Sequence, residues 1–236
     1  MSSANPSPLF PRRVRVGLRG LLALAIFSFG IGLAHAGDGW AGAIDKLTAG
    51  DAAHPPAEGG IVFTGSSTIT GWNAKLARDF PGLPVIGRGF GGSTIADGLR
   101  HLDRIVLPYR PRLVVFYAGE NDIAAGVSPE EVAARFAAYS DAVLTALPGA
   151  RLLYIGIKPS PMRWSMQAKF DRANALIADH CARTPRAVFL DIKPVMLDAD
   201  GLPRPELFLP DDLHLNAEGY RVWRELLAPL LVSTTP

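Results

Sequence analysis

The chain has 236 residues, of which 48% are hydrophobic and 19% charged. That is the composition of a folded globular protein, and the length suits one α/β domain with a sizeable core. The formal charge is +2, but residues 1–36 hold Arg12, Arg13, Arg15 and Arg19 and no acid. The 24 basic residues less those four leave 20 against 22 acidic ones, a net of −2. A near-neutral chain has no electrostatic footprint for DNA or RNA. The single cysteine, Cys181, excludes an intramolecular disulfide framework and a multi-cysteine zinc site.

In chain order, residues 1–36 read first as a secretory signal peptide. Arg12 to Arg19 form a positive n-region, Leu21 to Leu33 an uncharged apolar run, and Ala34-His35-Ala36 a small-residue site that predicts cleavage after Ala36. An uncleaved anchor is the alternative, but the run is short for a membrane span, and Arg12-Arg13 leaves a twin-arginine export signal open. The expected location is therefore secreted or periplasmic, with no span in the mature chain. Residues 37–60 read as a lead-in arm with a short helix around Ile44–Leu47. From residue 61, apolar β-rich runs alternate with helical patterns. The predicted strands are Ile61–Thr64, Pro84–Ile86, Leu113–Ala118, Leu152–Ile157 and Val188–Asp191. The predicted helices are Ile69–Arg78, Ile95–Val106, Pro129–Leu147, Gln167–Ala182 and Ala217–Leu230. Ser128, Pro129 and Glu131 predict a capping box at the third of these, and Asn216 an N-cap for the last.

Such alternation implies parallel strands with right-handed crossovers. Near-continuous apolar strands imply cover on both faces. The predicted fold is a three-layer α/β/α sandwich around a central five-stranded parallel sheet, spanning residues 61–236. Chemistry in such sheets sits at the carboxyl ends of the strands. Four segments there carry unusual residues: Gly65-Ser66-Ser67-Thr68, Gly87 to Gly92, Gly119-Glu120-Asn121-Asp122, and Asp211-Asp212-Leu213-His214.

Each segment has a plain structural explanation. Asp211 and His214 can be a surface acid beside a structural histidine, yet at this spacing the carboxylate can also fix the imidazole tautomer and stabilise the imidazolium. His54, His101 and His180 lack such a setting. Ser67 can be an N-cap, as can Ser66 and Thr68, yet a serine at a helix mouth can also expose a nucleophilic hydroxyl where the helix end favours negative charge. Gly92 and Asn121 can belong to ordinary loops, yet a glycine N–H and an asparagine amide are donors an oxyanion needs. Nucleophile, base, orienter and donors on one edge form a hydrolytic constellation. The Gly87-x-Gly89-x-x-Gly92 spacing also matches the dinucleotide fingerprint, but it follows the second strand, and an exported protein meets little such cofactor. No metal site has enough nearby ligands.

These residues resemble the SGNH hydrolases of the GDSL esterase/lipase superfamily. Ser67, Gly92, Asn121 and His214 match the four naming residues in order. A bacterial subgroup is resembled most, through Gly65-Ser66-Ser67-Thr68-Ile69 with Trp72, Gly87 to Gly92, Ile157-Lys158-Pro159-Ser160-Pro161 with Arg163-Trp164, and Leu213 to Tyr220. The similarity covers roughly residues 40–230. Two positions depart from the pattern: Ser66 replaces the superfamily's Asp, as the subgroup also does, and Gly87 replaces the subgroup's usual Asn. Ser67 is preferred to Ser66 because it holds the serine position of G-D-S.

The resemblance implies an SGNH/flavodoxin-like fold and a serine esterase. Ser67, His214 and Asp211 would form its triad, and Ser67, Gly92 and Asn121 its oxyanion hole, with no metal or organic cofactor. The expected substrate is a small-molecule, glycan or lipid ester, with short acyl groups favoured because no apolar lid segment is evident. An O-acyltransferase or acetylesterase acting on glycans, a lysophospholipase or thioesterase, and a non-catalytic carbohydrate-binding module are the alternatives. The sequence leaves the oligomeric state open.

Overall fold

A computed structural model describes Met1 and residues 39–232. The expected signal peptide, its cleavage site and the last four residues lie outside the described residues. The five strands are β1 (Ile61–Gly65), β2 (Val85–Gly89), β3 (Leu113–Tyr117), β4 (Arg151–Ile155) and β5 (Ala187–Leu190). They form one all-parallel sheet in the order β2-β1-β3-β4-β5. The chain leaves β1 toward β2 on one side and returns to β3 on the other. The connections therefore diverge between β1 and β3, which opens a crevice at their carboxyl ends.

Alternate strand residues point to opposite faces, and each face has its own core. Val62, Val114, Phe116, Leu152 and Tyr154 pack with one set of helices: α1 (Ala41–Thr48), α4 (Ile95–Arg100), α5 (Leu102–Ile105), α7 (Pro129–Ala146) and α8 (Gln167–Arg183). Ile61, Phe63, Val115, Tyr117 and Leu153 pack on the other face with α2 (Ser67–Thr70), α3 (Leu76–Asp79), α9 (Lys193–Met196) and α10 (Ala217–Val232). A further short helix, α6 (Glu120–Ala124), starts directly after β3. Cys181 is buried on α8.

Several boundaries differ from expectation. The helix expected over 69–78 is two helices, because Gly71 ends the first. A Cβ there would lie 2.4 Å from the Tyr220 hydroxyl oxygen. The helix expected over 95–106 is also two, interrupted at the buried His101. Strand β2 begins and ends later than Pro84–Ile86 and absorbs Gly87 and Gly89. Those glycines serve close packing: a Cβ on either would fall 2.5 Å from Asn73 or Thr70. The dinucleotide spacing is therefore largely strand, not a strand-to-helix turn.

Capping differs too. Ser128 Oγ accepts from Glu131 N at 3.2 Å, but the Glu131 carboxylate pairs with Arg135 instead of returning to the cap. The reciprocal box forms at Thr94 and Asp97, ahead of α4. Asn216 does cap α10, its Oδ1 accepting from Glu218 N and Gly219 N. The arm is more integrated than a lead-in: Ile44 of α1 is fully buried in the core.

Candidate active site

Ser67 is the first residue of α2, directly after β1. The turn that places it depends on Gly65, whose φ is +132° and whose Cβ would lie 1.9 Å from the Tyr117 carbonyl oxygen. Ser66 N donates to that same carbonyl at 2.9 Å, which ties the end of β1 to the end of β3. Ser66 is fully buried and is the N-cap residue, whereas Ser67 is half-buried. Of the two serines, Ser67 is the one a substrate can reach. Its N–H lies in the first turn of the helix, where no intrahelical carbonyl is available.

The glycine-rich loop after β2 runs past this serine. A Cβ on Gly91 would stand 3.9 Å from Ser67 Cβ. Gly92 follows with φ +81°, a conformation that favours glycine. From the end of β3, Asn121 Nδ2 donates to the Ser93 carbonyl at 3.1 Å. Ser67, Gly92 and Asn121 are thus gathered at the switch point from three separate chain segments.

The block that carries Asn121 is anchored on both sides. Asp122 is fully buried; its Oδ2 accepts from Ile95 N at 3.1 Å and its Oδ1 from Arg135 Nη1 at 3.0 Å, which joins the start of α4 to α6 and α7. Burial pushes the Asp122 carboxyl up, against the lowering effect of those donors. Glu120, 1% exposed, accepts from the buried Lys158 Nζ at 2.6 Å and from Tyr117 Oη at 2.7 Å. Burial alone would raise the Glu120 carboxyl, but the Lys158 ammonium, with smaller help from Arg163 and the Tyr117 hydroxyl, outweighs it and holds the pKa below the usual range. Sequence reasoning assigned no role to Glu120, Asp122 or Lys158. The available signal was three charged residues beside otherwise apolar strand ends, where a charge persists only if paired.

His214 precedes α10. Its Nδ1 lies 2.6 Å from Asp211 Oδ2. Asp211 Oδ1 accepts from His214 N at 2.9 Å and Leu213 N at 3.0 Å. The histidine's side-chain hydrogen bond, followed by these backbone donors, holds the Asp211 carboxyl down at about 2. The neighbouring Asp212 has φ +58°, a left-handed turn that closes this loop. Tyr220 Oη donates to Thr68 O at 2.8 Å and so joins α10 to α2, the helices that flank the histidine loop and the serine. Among the described residues nothing hydrogen-bonds Ser67 Oγ, so the link from serine to imidazole is not closed in this structure.

No described group of three or more His, Cys, Asp or Glu side chains is placed to hold a metal ion. A cavity of about 240 Å³ lined by Pro56, Ile61, Pro84 and Tyr109 lies at the opposite, amino ends of the strands. It contains neither the serine nor the histidine.

Comparison with known proteins identifies the family and the fold. Residues 45–222 match the GDSL-like Lipase/Acylhydrolase family. The chain belongs to that family. It is 30% identical over 184 residues to the platelet-activating factor acetylhydrolase IB subunit alpha1 of Bos taurus, which covers 72% of this chain and 76% of the relative. The human protein of the same name is 29% identical over the same length. Among solved structures, a GDSL-like lipase from Bacteroides thetaiotaomicron superposes with a TM-score of 0.67 at 21% identity, covering 80% of this chain and 96% of that one. An acetyl xylan esterase from Geobacillus stearothermophilus does so with a TM-score of 0.60 at 15% identity, covering 75% and 96%. The chain is therefore an ester-bond hydrolase by family, on an SGNH-type fold.

Proposed function

We propose that this family member is an extracytoplasmic serine esterase for short-chain acyl esters, with Ser67, His214 and Asp211 as its triad. The observation that carries the proposal is the Asp211–His214 pair at 2.6 Å, on the same sheet edge as an accessible serine and a cluster of donors. With substrate bound, His214 Nε2 takes the Ser67 hydroxyl proton as Oγ attacks the acyl carbonyl. Asp211 keeps the Nδ1 proton in place and stabilises the imidazolium. The backbone N–H groups of Ser67 and Gly92 and the Asn121 amide hold the oxyanion. His214 returns its proton to the leaving alcohol, and water then releases the acyl-enzyme by the same sequence.

The short-chain preference rests on the loops around the site. The 158–166 connection contains a short 3₁₀ turn, Pro161–Met166, pinned by Met162 N donating to Asp212 O at 3.1 Å. The 193–213 connection is made of short helical pieces and turns. Neither supplies a long apolar cover, and a long acyl chain needs one to gain roughly 0.8 kcal/mol per buried CH₂. The curated mammalian relatives are acetylhydrolases by name, which points the same way. Export rests on the basic, apolar and Ala-x-Ala pattern of residues 1–36.

A fluorophosphonate probe tests the nucleophile. It should label the wild type and Ser66→Ala but not Ser67→Ala; the reverse pattern would assign the nucleophile to Ser66. Turnover efficiency across p-nitrophenyl esters should favour acetyl to butyryl. Efficiency rising steadily toward chains of about ten carbons would shift the assignment to a lipase or lysophospholipase. N-terminal sequencing of the exported protein should begin at Gly37.

A further inference from the structure

The geometry points to a positioning residue that the triad and oxyanion assignments leave out: we propose that Arg163 sets the orientation of the Asn121 amide. This inference rests on the proposed oxyanion role of Asn121. Arg163 Nη1 and Nη2 both donate to Asn121 Oδ1, each at 3.1 Å. An asparagine amide can be turned by 180° with little change of shape, so its neighbours decide which end faces a substrate. Two guanidinium donors on Oδ1 direct Nδ2 the other way. One Nδ2 hydrogen goes to Ser93 O at 3.1 Å, and the second remains for an oxyanion. In the flipped amide, Oδ1 would face the Ser93 carbonyl and the developing negative charge, and both contacts are repulsive.

Arg163 helps to hold the Glu120 carboxyl down, but that role does not account for where its guanidinium is aimed. Glu120 is already paired with Lys158 at 2.6 Å. Arg163 Nη1 stands 3.7 Å from Glu120 Oε1, and that oxygen has no hydrogen-bond partner among the described residues. The guanidinium fork is therefore aimed at the asparagine and not at the nearby carboxylate. The backbone agrees. Arg163 interrupts the 3₁₀ turn around it, with φ −115° and ψ 19°. The preceding residue is fixed to the histidine loop through Met162 N and Asp212 O. The same turn thus holds the segment carrying Asp211 and aims the amide that would receive the charge.

A point charge replaces this arrangement only in part, because an ammonium lacks the planar pair of donors. The experiment compares Arg163→Met and Arg163→Lys, each alone and combined with Asn121→Ala, using p-nitrophenyl acetate and a thermal melt of every variant. Arg163→Met should lower kcat roughly 10- to 100-fold, less than or comparable to loss of the donor itself, with KM within about twofold. Arg163→Lys should recover part of kcat, since one donor can still reach Oδ1. In the Asn121→Ala background, Arg163→Met should cause no further loss of kcat, because no amide remains to be oriented. An equal further loss in that background, a loss confined to KM, or an unchanged kcat would each overturn the role of Arg163 while leaving Asn121 in the oxyanion hole. A normal kcat for Asn121→Ala alone would instead remove Asn121 from that hole, and the positioning role would fall with it. If Arg163→Met does not fold, the Arg163→Lys pair carries the same comparison.

Discussion

Lys158→Met is the most informative single perturbation of the scaffold beneath the site. Lys158 is 0% exposed and its Nζ lies 2.6 Å from Glu120 Oε2, with the carboxylate side chain 1% exposed. Methionine fills a similar volume but leaves the carboxylate with one neutral donor, Tyr117 Oη at 2.7 Å, and a guanidinium 3.7 Å away. Removing one partner of a buried ion pair costs about 3–5 kcal/mol. With a urea m-value of about 2–3 kcal/mol/M, the unfolding midpoint should fall by on the order of 1–2.5 M. The sign of the pH dependence follows from the carboxyl. In the wild type Lys158 lowers the Glu120 pKa below its ordinary value of 4.5 despite burial, so the pair contributes stability above that value and loses it as pH falls through the lower folded-state pKa. In the variant, burial without the ammonium raises the folded-state pKa, and protonation on acidification relieves the unpaired charge. The stability gap should therefore narrow as pH is lowered from neutral. The double variant Lys158→Met/Glu120→Gln should recover much of the loss, because neither buried charge remains. Urea melts at several pH values provide the assay. A gap under about 1 kcal/mol, or one that does not change with pH, would refute the view that this pair is a paired buried charge.

Asn121→Ala should lower kcat by roughly 100- to 1,000-fold with little change in KM, as expected for a donor that acts on the transition state; steady-state kinetics on p-nitrophenyl acetate decides it. Asp211→Asn should be less damaging than His214→Ala, since it disturbs the 2.6 Å contact to Nδ1 but leaves the base in place; the reverse order would refute the assignment of His214 as the base. Asp211 is held down at about 2 by its hydrogen bonds from His214 and the following backbone N–H groups, so a carbon-detected NMR titration should find its carboxylate still ionised well below the ordinary aspartate range; protonation in the ordinary range would refute the pairing. Cys181 is buried and its thiol is pushed up to about 11 by burial, so it should not react with a disulfide reagent at neutral pH in the native state and should react fully after denaturation.

The sequence by itself determined much of this protein. Apolar runs such as Leu113–Tyr117 can sit only between two helical layers, and their alternation with helical patterns leaves a parallel sheet as the consistent architecture. Local chemistry also placed the ends of elements: Asn216 caps α10 as expected, and Gly65 and Gly92 take the positive φ values that their turns require. The pairing of Asp211 with His214 was legible as one possibility, because side chains three residues apart in a turn can meet, and the structure brings them together at 2.6 Å. Even a local choice stayed open: the spacing at 128–131 predicted a capping box, yet Arg135, one helical turn on, takes Glu131 instead. What lies far apart along the chain was not legible. Nothing local to Lys158 indicates that it meets Glu120, 38 residues away in sequence. Nothing local to Arg163 indicates that its two N–H groups close on Asn121, 42 residues away. Those contacts exist because β3 and β4 lie side by side in the sheet, which brings the loops after them to one edge. Only the tertiary structure could decide which of the charged residues at that edge face each other, because pairing across a sheet depends on strand order, and strand order is a property of the whole chain.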